Sequence, residues 1–172
     1  TWSDDTSLML CLADSLCSGY EPDDIGNTFL GWWQHGRWTP HGERIGWGDT
    51  TAGAMERLAK GYPPLVAGSD HEYSNGNGSL KRTLPVALYF FRASPKTLLK
   101  VAHEVSCITH AHPRSQMCCG IYCLLVMHLL SGESVQEALE ATVHLCPYAL
   151  SGRALGGGKS AYGASSEPET FE

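Results

Sequence analysis

The longest apolar run of this sequence is Gly120-Ile121-Tyr122-Cys123-Leu124-Leu125-Val126-Met127-His128-Leu129-Leu130. The run is too short to cross a bilayer as a helix, which needs about 20 residues, and it contains a histidine. We therefore interpret it as a helix in the core of a globular domain.

Helical spacing of apolar residues recurs on both sides of this run, whereas the period-2 alternation of strands does not. Pro85 lies inside one of the helical stretches and predicts a break or a restart there. The sequence predicts an all-α bundle of about seven helices. They cover residues 4–18, 24–35, 50–61, 80–91, 94–108, 113–132 and 134–145.

Two long loops, 36–49 and 62–78, separate these helices, and loops of such length in a compact domain usually carry function. Residues 151–172 contain five Gly and four Ser with almost no apolar periodicity. That composition is typical of a mobile tail. We therefore expect a helical domain over 1–150 and a flexible Gly/Ser-rich tail over 151–172.

The composition narrows the functional classes. The chain has 172 residues, 42% of them hydrophobic, with a formal net charge of −6 and a pI near 5.7, as expected for one globular domain that does not bind nucleic acid. Its seven cysteines lack the spacing of a zinc site and are interpreted as reduced core thiols. With no signal peptide before Trp2 and no membrane segment, we expect a cytoplasmic protein.

The acidic motif Ser3-Asp4-Asp5-Thr6 precedes an apolar helical stretch. A Ser hydroxyl that caps free N–H groups, followed by acids in the first turn, would stabilise a helix start without any further function. Adjacent carboxylates also suit a hard divalent cation such as Mg²⁺ or Mn²⁺, which prefers oxygen ligands. Both interpretations remain open at this point.

The segment Asn75-Gly76-Asn77-Gly78-Ser79 offers small residues, positive-φ backbone and exposed N–H groups just before a helix. Such a segment can hold a phosphate or diphosphate through its main chain, although Asn-Gly pairs are also common in plain turns.

Two histidines lie in the turn Thr109-His110-Ala111-His112-Pro113-Arg114. In an extended turn before Pro113 both could face one ligand, or one of them could cap the neighbouring helix. Four tryptophans also allow two interpretations, a stacking platform for a base or sugar, or core and loop anchors. They are Trp32, Trp33, Trp38 and Trp47.

Taken together, these motifs resemble the ADP-ribosylglycohydrolase family, of the dinitrogenase reductase-activating glycohydrolase type, over residues 1–145. The resemblance implies an orthogonal all-α bundle with a binuclear Mg²⁺ or Mn²⁺ centre. It also implies removal of ADP-ribose from a protein side chain or small molecule by cleavage of the N- or O-glycosidic bond at C1″. The segments that carry it are Trp2–Ser7, Trp38–Pro40, Gly48–Thr51, Asn75–Leu80 with Arg82, and Thr109–Ser115.

The resemblance also implies roles for individual residues. The metal ligands would be Ser3, Asp4 and Asp5, and the catalytic carboxylates would be Asp4, Asp5 and Asp49. The substrate-binding set, to which the turn before Pro113 adds His112, comprises Asn77, Gly78, Ser79, His110 and His112.

The chain departs from the family pattern at several places. No counterpart exists for the family's preceding Gly-Asp turn and Glu or for its closing Asp-x-Asp-Thr/Ser motif, so half of the metal ligand set is missing and a partial domain is expected. One family acid falls on Gly46, and Lys81 replaces a Met. Two alternatives to the hydrolase therefore stay open, a metal-free ADP-ribose-binding protein and a structural or interaction protein of the same fold.

Overall fold

The computed structural model describes residues 1–145, and within this range the chain forms helices and no strand. The all-α prediction is confirmed. The predicted tail over 151–172 lies outside the described residues. The helices are α1 Asp4–Leu16, α2 Pro22–His35, α3 Asp49–Ala59, α4 Gly78–Arg82, α5 Leu84–Tyr89, α6 Pro95–Cys107, α7 Pro113–Leu130 and α8 Val135–Leu145, with a 3₁₀ turn at Pro64–Val66.

Helix α7 contains the apolar run and packs most extensively on α6. Cys123, Leu124 and Met127 of the run are buried, which supports its interpretation as a core helix. The end of the run differs, since Leu129 is 39% and Leu130 47% exposed. None of the helices described between residues 1 and 145 is both long and apolar enough to span a membrane.

Proline and capping residues explain where several helices begin. Helix α2 starts at Pro22, two residues before the predicted start, because proline fits the first turn of a helix where no N–H bond is needed. The predicted break near Pro85 occurs at Thr83, which leaves the proline in the first turn of α5. The Ser94 hydroxyl accepts from the backbone N–H of Thr97 at 3.1 Å at the start of α6, where a helix was predicted to begin.

Helix α1 packs against α2, α4 and α5, so its first turn lies beside α4. The loop over 36–48 is fastened to α1. Asp14 accepts from the Arg37 guanidinium at 2.5 Å and from the Trp38 indole N–H at 3.1 Å. Nearer the start of α1, the backbone N–H of Asp4 donates to the Ile45 carbonyl at 3.2 Å. The loop therefore runs over the start of α1.

Candidate functional site

The short helix α4 brings together the segments that the sequence singled out. On one side, the Lys81 ammonium lies 2.6 Å from a carboxylate oxygen of Asp5 in α1. On the other side, Gly78 lies against the imidazole of His110, close enough that a Cβ at position 78 would be 2.8 Å from Cε1. Residues far apart in the chain thus form one continuous cluster around α4.

The acidic pair at the start of α1 lies largely inside the protein. Asp4 is only 7% exposed, and burial, followed by the neighbouring Asp5 carboxylate, raises the pKa of Asp4 above its ordinary value. Ser3 takes the N-cap position, but its hydroxyl makes no cap hydrogen bond. The predicted hydroxyl cap is therefore wrong, because the side chain does not reach the free N–H groups of the first turn.

Helix α4 carries two cations, of which Lys81 contacts the acidic pair. Lys81 is about half exposed, whereas Arg82 is 1% exposed, with its guanidinium 5.0 Å from the Phe29 ring centroid and one nitrogen donating to the Val105 carbonyl at 3.3 Å. Burial lowers the pKa of Arg82 to about 10, and the charges of Asp5 and Asp4 oppose that shift. Arg82 therefore remains protonated at neutral pH, and within residues 1–145 only Lys81 makes a direct ion pair with the acidic pair.

His110 is buried and neutral. Its Nδ1 lies 2.7 Å from the Thr109 hydroxyl, and burial, helped by the positive charges of Arg82 and Lys81, lowers the pKa of His110 to about 3. Because Nδ1 is engaged, Nε2 is the nitrogen available to a ligand. The same nitrogen would lie 3.1 Å from a Cβ at position 78, beside the glycine-containing loop.

The glycines of the segment 75–79 have a different structural role from the predicted one. Among the residues described, positive φ angles occur at six other glycines and at Trp38, but not at Gly76 or Gly78. The predicted positive-φ backbone is therefore wrong. What position 78 requires is the missing side chain, since the His110 ring and the Thr51 hydroxyl occupy the space beside it.

The remaining predicted site residues divide by exposure. The Ser79 hydroxyl is buried and accepts hydrogen bonds from the hydroxyl of Ser106 at 2.9 Å and the thiol of Cys119 at 3.5 Å, so it is engaged inside the protein. Asn77 and Asp49 are exposed at the starts of α4 and α3. The Nδ1 of His112 accepts from the backbone N–H of Arg114 at 3.2 Å, which makes His112 the N-cap of α7.

The tryptophans act mainly as core and loop anchors. Trp32 is fully buried in the core. Trp33 and Trp47 hold the guanidinium of Arg44, which lies 4.2 Å and 5.0 Å from their ring centroids. The Trp38 indole N–H is bonded to Asp14, as described above.

The donor atoms at Asp4 and Asp5 suit a hard cation in kind. Carboxylate oxygens and the Ser3 hydroxyl are ligands of the type that Mg²⁺ and Mn²⁺ prefer. They are few in number. Over residues 1–145, no three His, Cys, Asp or Glu side chains come together in an arrangement that could hold a metal ion.

The comparison with known proteins agrees with these motifs. A family model described as ADP-ribosylglycohydrolase matches residues 1–168. The chain belongs to the ADP-ribosylglycohydrolase family. The resemblance inferred from the sequence is thereby confirmed.

Relatives of the same family are similar over most of this chain. An ADP-ribosylarginine hydrolase Tri1 from Serratia proteamaculans (strain 568) is 28% identical over 85% of this chain and 40% of its own length. The protein of the same name from Pseudomonas putida (strain GB-1) is 30% identical over 83% and 38%. The ADP-ribosylglycohydrolase chain described here thus spans about two fifths of these relatives' length.

A solved structure extends the likeness to the fold. A chain of an "ADP-ribosylglycohydrolase-related protein complex" superposes with a TM-score of 0.68 at 30% identity, covering 87% of this chain and 47% of the other. The fold predicted for an ADP-ribosylglycohydrolase is therefore the fold observed.

Two contacts of the site were not predicted. Lys81 was identified as a lysine in place of the family's Met, but its contact with Asp5 depends on how α1 and α4 pack. Thr51, whose hydroxyl lies near Gly78, could have been suspected from its place beside Asp49 in a matching turn.

Proposed function

We propose that this chain forms the ADP-ribose-binding and metal-holding part of a hydrolase that releases ADP-ribose from modified arginine side chains. Membership of the family and the names of the two relatives support this assignment. The observation that carries it is the cluster around α4, where Lys81 meets Asp5 and Gly78 meets His110. Acidic metal ligands and a candidate ligand-binding segment are thereby joined by one short helix.

Each part of the cluster has a task in this proposal. Ser3, Asp4 and Asp5 would hold Mg²⁺ or Mn²⁺. When bound, the ion supplies Lewis-acid polarisation close to the ribose hydroxyls. The main-chain N–H groups of residues 77–79 bind the diphosphate, since the Ser79 hydroxyl is already engaged. Neutral His110 hydrogen-bonds the ligand through Nε2.

The reaction consumes one water molecule. Its oxygen bonds to C1″ as the bond from C1″ to the guanidine nitrogen breaks. The proton lost by the water passes to a carboxylate and then to the leaving nitrogen. Asp49, exposed at the start of α3, is a candidate for this proton transfer alongside the Asp4–Asp5 pair.

Calorimetric titration of ADP-ribose into the full chain tests the proposal, with Mg²⁺ and then with EDTA. We expect binding in Mg²⁺ that EDTA abolishes, and loss of binding in Asp4→Asn/Asp5→Asn. The matched control is Asp23→Asn, which neutralises an exposed acid in the first turn of another helix, α2, and leaves binding unchanged.

Two other outcomes would contradict the proposal in different ways. Binding that EDTA does not affect would indicate a metal-free ADP-ribose-binding protein. Absence of binding under both conditions would indicate a structural or interaction role for the helical bundle.

A further inference from the structure

Asp5, at the start of α1, already has a cationic partner. Asp4 and Asp5 are adjacent carboxylates, and Lys81 lies opposite them in α4, in contact with Asp5. Lys81 makes the direct contact, with Nζ 2.6 Å from Oδ2 of Asp5. A divalent cation at Asp5 would therefore meet a carboxylate that is already in contact with a cation.

The surroundings of Lys81 show that this contact is not merely a surface ion pair. The Asp5 side chain is 21% exposed, and Asp4 beside it is buried. The ammonium of Lys81 thus contacts one of the two carboxylates that would bind the metal.

The loop over 36–48 places no third carboxylate beside Asp4 and Asp5. Gly46 lies so close that a Cβ at this position would be 4.0 Å from Oδ1 of Asp4. A carboxylate there would be within reach of the pair, but glycine provides none. Gly46 therefore adds no negative charge beside Asp4, while Lys81 adds a positive charge beside Asp5.

We propose that Lys81 is a tethered cation that occupies Asp5 and competes with divalent metal ions for it. The inference rests on the proposed function for the identity of the metal, Mg²⁺ or Mn²⁺. A metal ion can bind Asp5 only when the ammonium of Lys81 moves away, because a carboxylate oxygen cannot keep both cations in direct contact. Metal affinity is accordingly set by Lys81 as well as by the ligands.

The test is the affinity of the full chain for Mn²⁺, measured by calorimetry or by the electron paramagnetic resonance signal of free Mn²⁺. Lys81→Met removes the competing charge, and we expect it to tighten Mn²⁺ binding by about two- to fivefold, the range of a partly exposed ion pair. Lys81→Arg keeps the charge and is expected to retain the weak binding.

Two controls separate competition from a general charge effect. Lys100→Met removes the same charge from an exposed position on α6 and is expected to change the affinity by less than about twofold, because distant surface charges are screened. Lys81→Met/Asp5→Asn is expected to lose the gain, since the contested carboxylate is gone.

Equal Mn²⁺ affinity in the unsubstituted chain and in Lys81→Met would overturn the inference, whether both bind or neither does. ADP-ribose titrations run in parallel keep the two proposals apart. A chain that binds no ADP-ribose refutes the proposed function, while the Mn²⁺ contrast still decides the role of Lys81.

Discussion

The metal-binding function expected of Asp4 conflicts with the stability of the folded chain. Burial and the neighbouring Asp5 raise the pKa of Asp4, so its ionised form is less stable in the folded chain than in the unfolded chain. The free energy of unfolding therefore increases as the pH falls through the raised pKa, because the carboxyl group of Asp4 becomes protonated. Carboxylates that await a cation commonly carry such a cost.

We therefore expect Asp4→Asn to increase the thermal stability of the metal-free chain while abolishing metal-dependent ADP-ribose binding. The matched control, Asp14→Asn, is expected to decrease stability, because hydrogen bonds from Trp38 and Arg37 lower the pKa of Asp14. Melting temperatures measured in EDTA at pH 7 check both. A lower melting temperature for Asp4→Asn would refute this assignment.

His110 predicts a pH dependence of the opposite sign. Its pKa in the folded chain is about 3, below the ordinary value of 6.5, so the unfolded chain binds more protons between these values. The free energy of unfolding therefore falls as the pH decreases from about 6.5. Between pH 7.5 and pH 5.5 the imidazole of His110 takes up a proton in the unfolded chain but not in the folded chain. This difference should lower the free energy of unfolding by about 1.4 kcal/mol.

Urea unfolding of His110→Gln at both pH values measures this contribution. The substitution is expected to remove about 1.4 kcal/mol of the acid-induced loss. His103, whose pKa burial lowers to about 4, contributes with the same sign and keeps some pH dependence in the variant. An unchanged pH profile would mean that the imidazole is not held neutral by the fold.

At the scale of elements, α4 depends on the absence of a side chain at position 78. We expect Gly78→Ala to destabilise the chain by about 1–3 kcal/mol, the usual cost of overpacking, because the new Cβ would meet Cε1 of His110 at 2.8 Å. The same change should weaken ADP-ribose binding, since the imidazole or the loop must move.

The control for this prediction is Gly76→Ala in the same loop. Its Cβ would lie 3.8 Å from the His110 Nε2, which is ordinary van der Waals contact, so stability is expected to change little. Urea unfolding and ADP-ribose titration of both variants give the comparison. Equal effects of the two substitutions would contradict the close contact at position 78.

Helices were more predictable than the contacts between them. The Ser94 cap, the capping box in which Ser134 and Glu137 bond reciprocally, and the break near Pro85 follow from local rules of helix ends. The Lys81–Asp5 ion pair joins residues from opposite ends of two packed helices, so no local pattern reveals it. The unused Ser3 hydroxyl shows the same limit, because a side-chain rotamer depends on its three-dimensional surroundings.

At the scale of the whole molecule, the apolar run that predicted the fold is divided between core and surface. Leu124 is fully buried in α7, whereas Leu130 at the end of the same helix is 47% exposed. We expect Leu124→Ala to lower the free energy of unfolding by about 2–5 kcal/mol and Leu130→Ala by less than about 1 kcal/mol. Urea unfolding at neutral pH distinguishes them, and equal losses would contradict the described core.

The fold class followed from periodicity because nearly every long stretch repeats its apolar residues with helical spacing. The site followed less completely. Residues 75–79 and 109–114 were identified as candidates, but the reason that they meet, a glycine packed against a buried imidazole, depends on how α4, α6 and α7 are arranged. Such packing is decided by the whole core rather than by either segment.

The loop over 36–48 has a spectroscopic consequence. The Trp2 indole donates to the Trp38 carbonyl, Trp38 is bonded to Asp14, and Trp47 directly follows Gly46 beside Asp4. All three indoles are partly exposed to solvent. Since indole emission changes with exposure to water, movement of this loop should alter the native fluorescence of the protein. The chain therefore carries its own optical reporter for events at the acidic pair, without any added label.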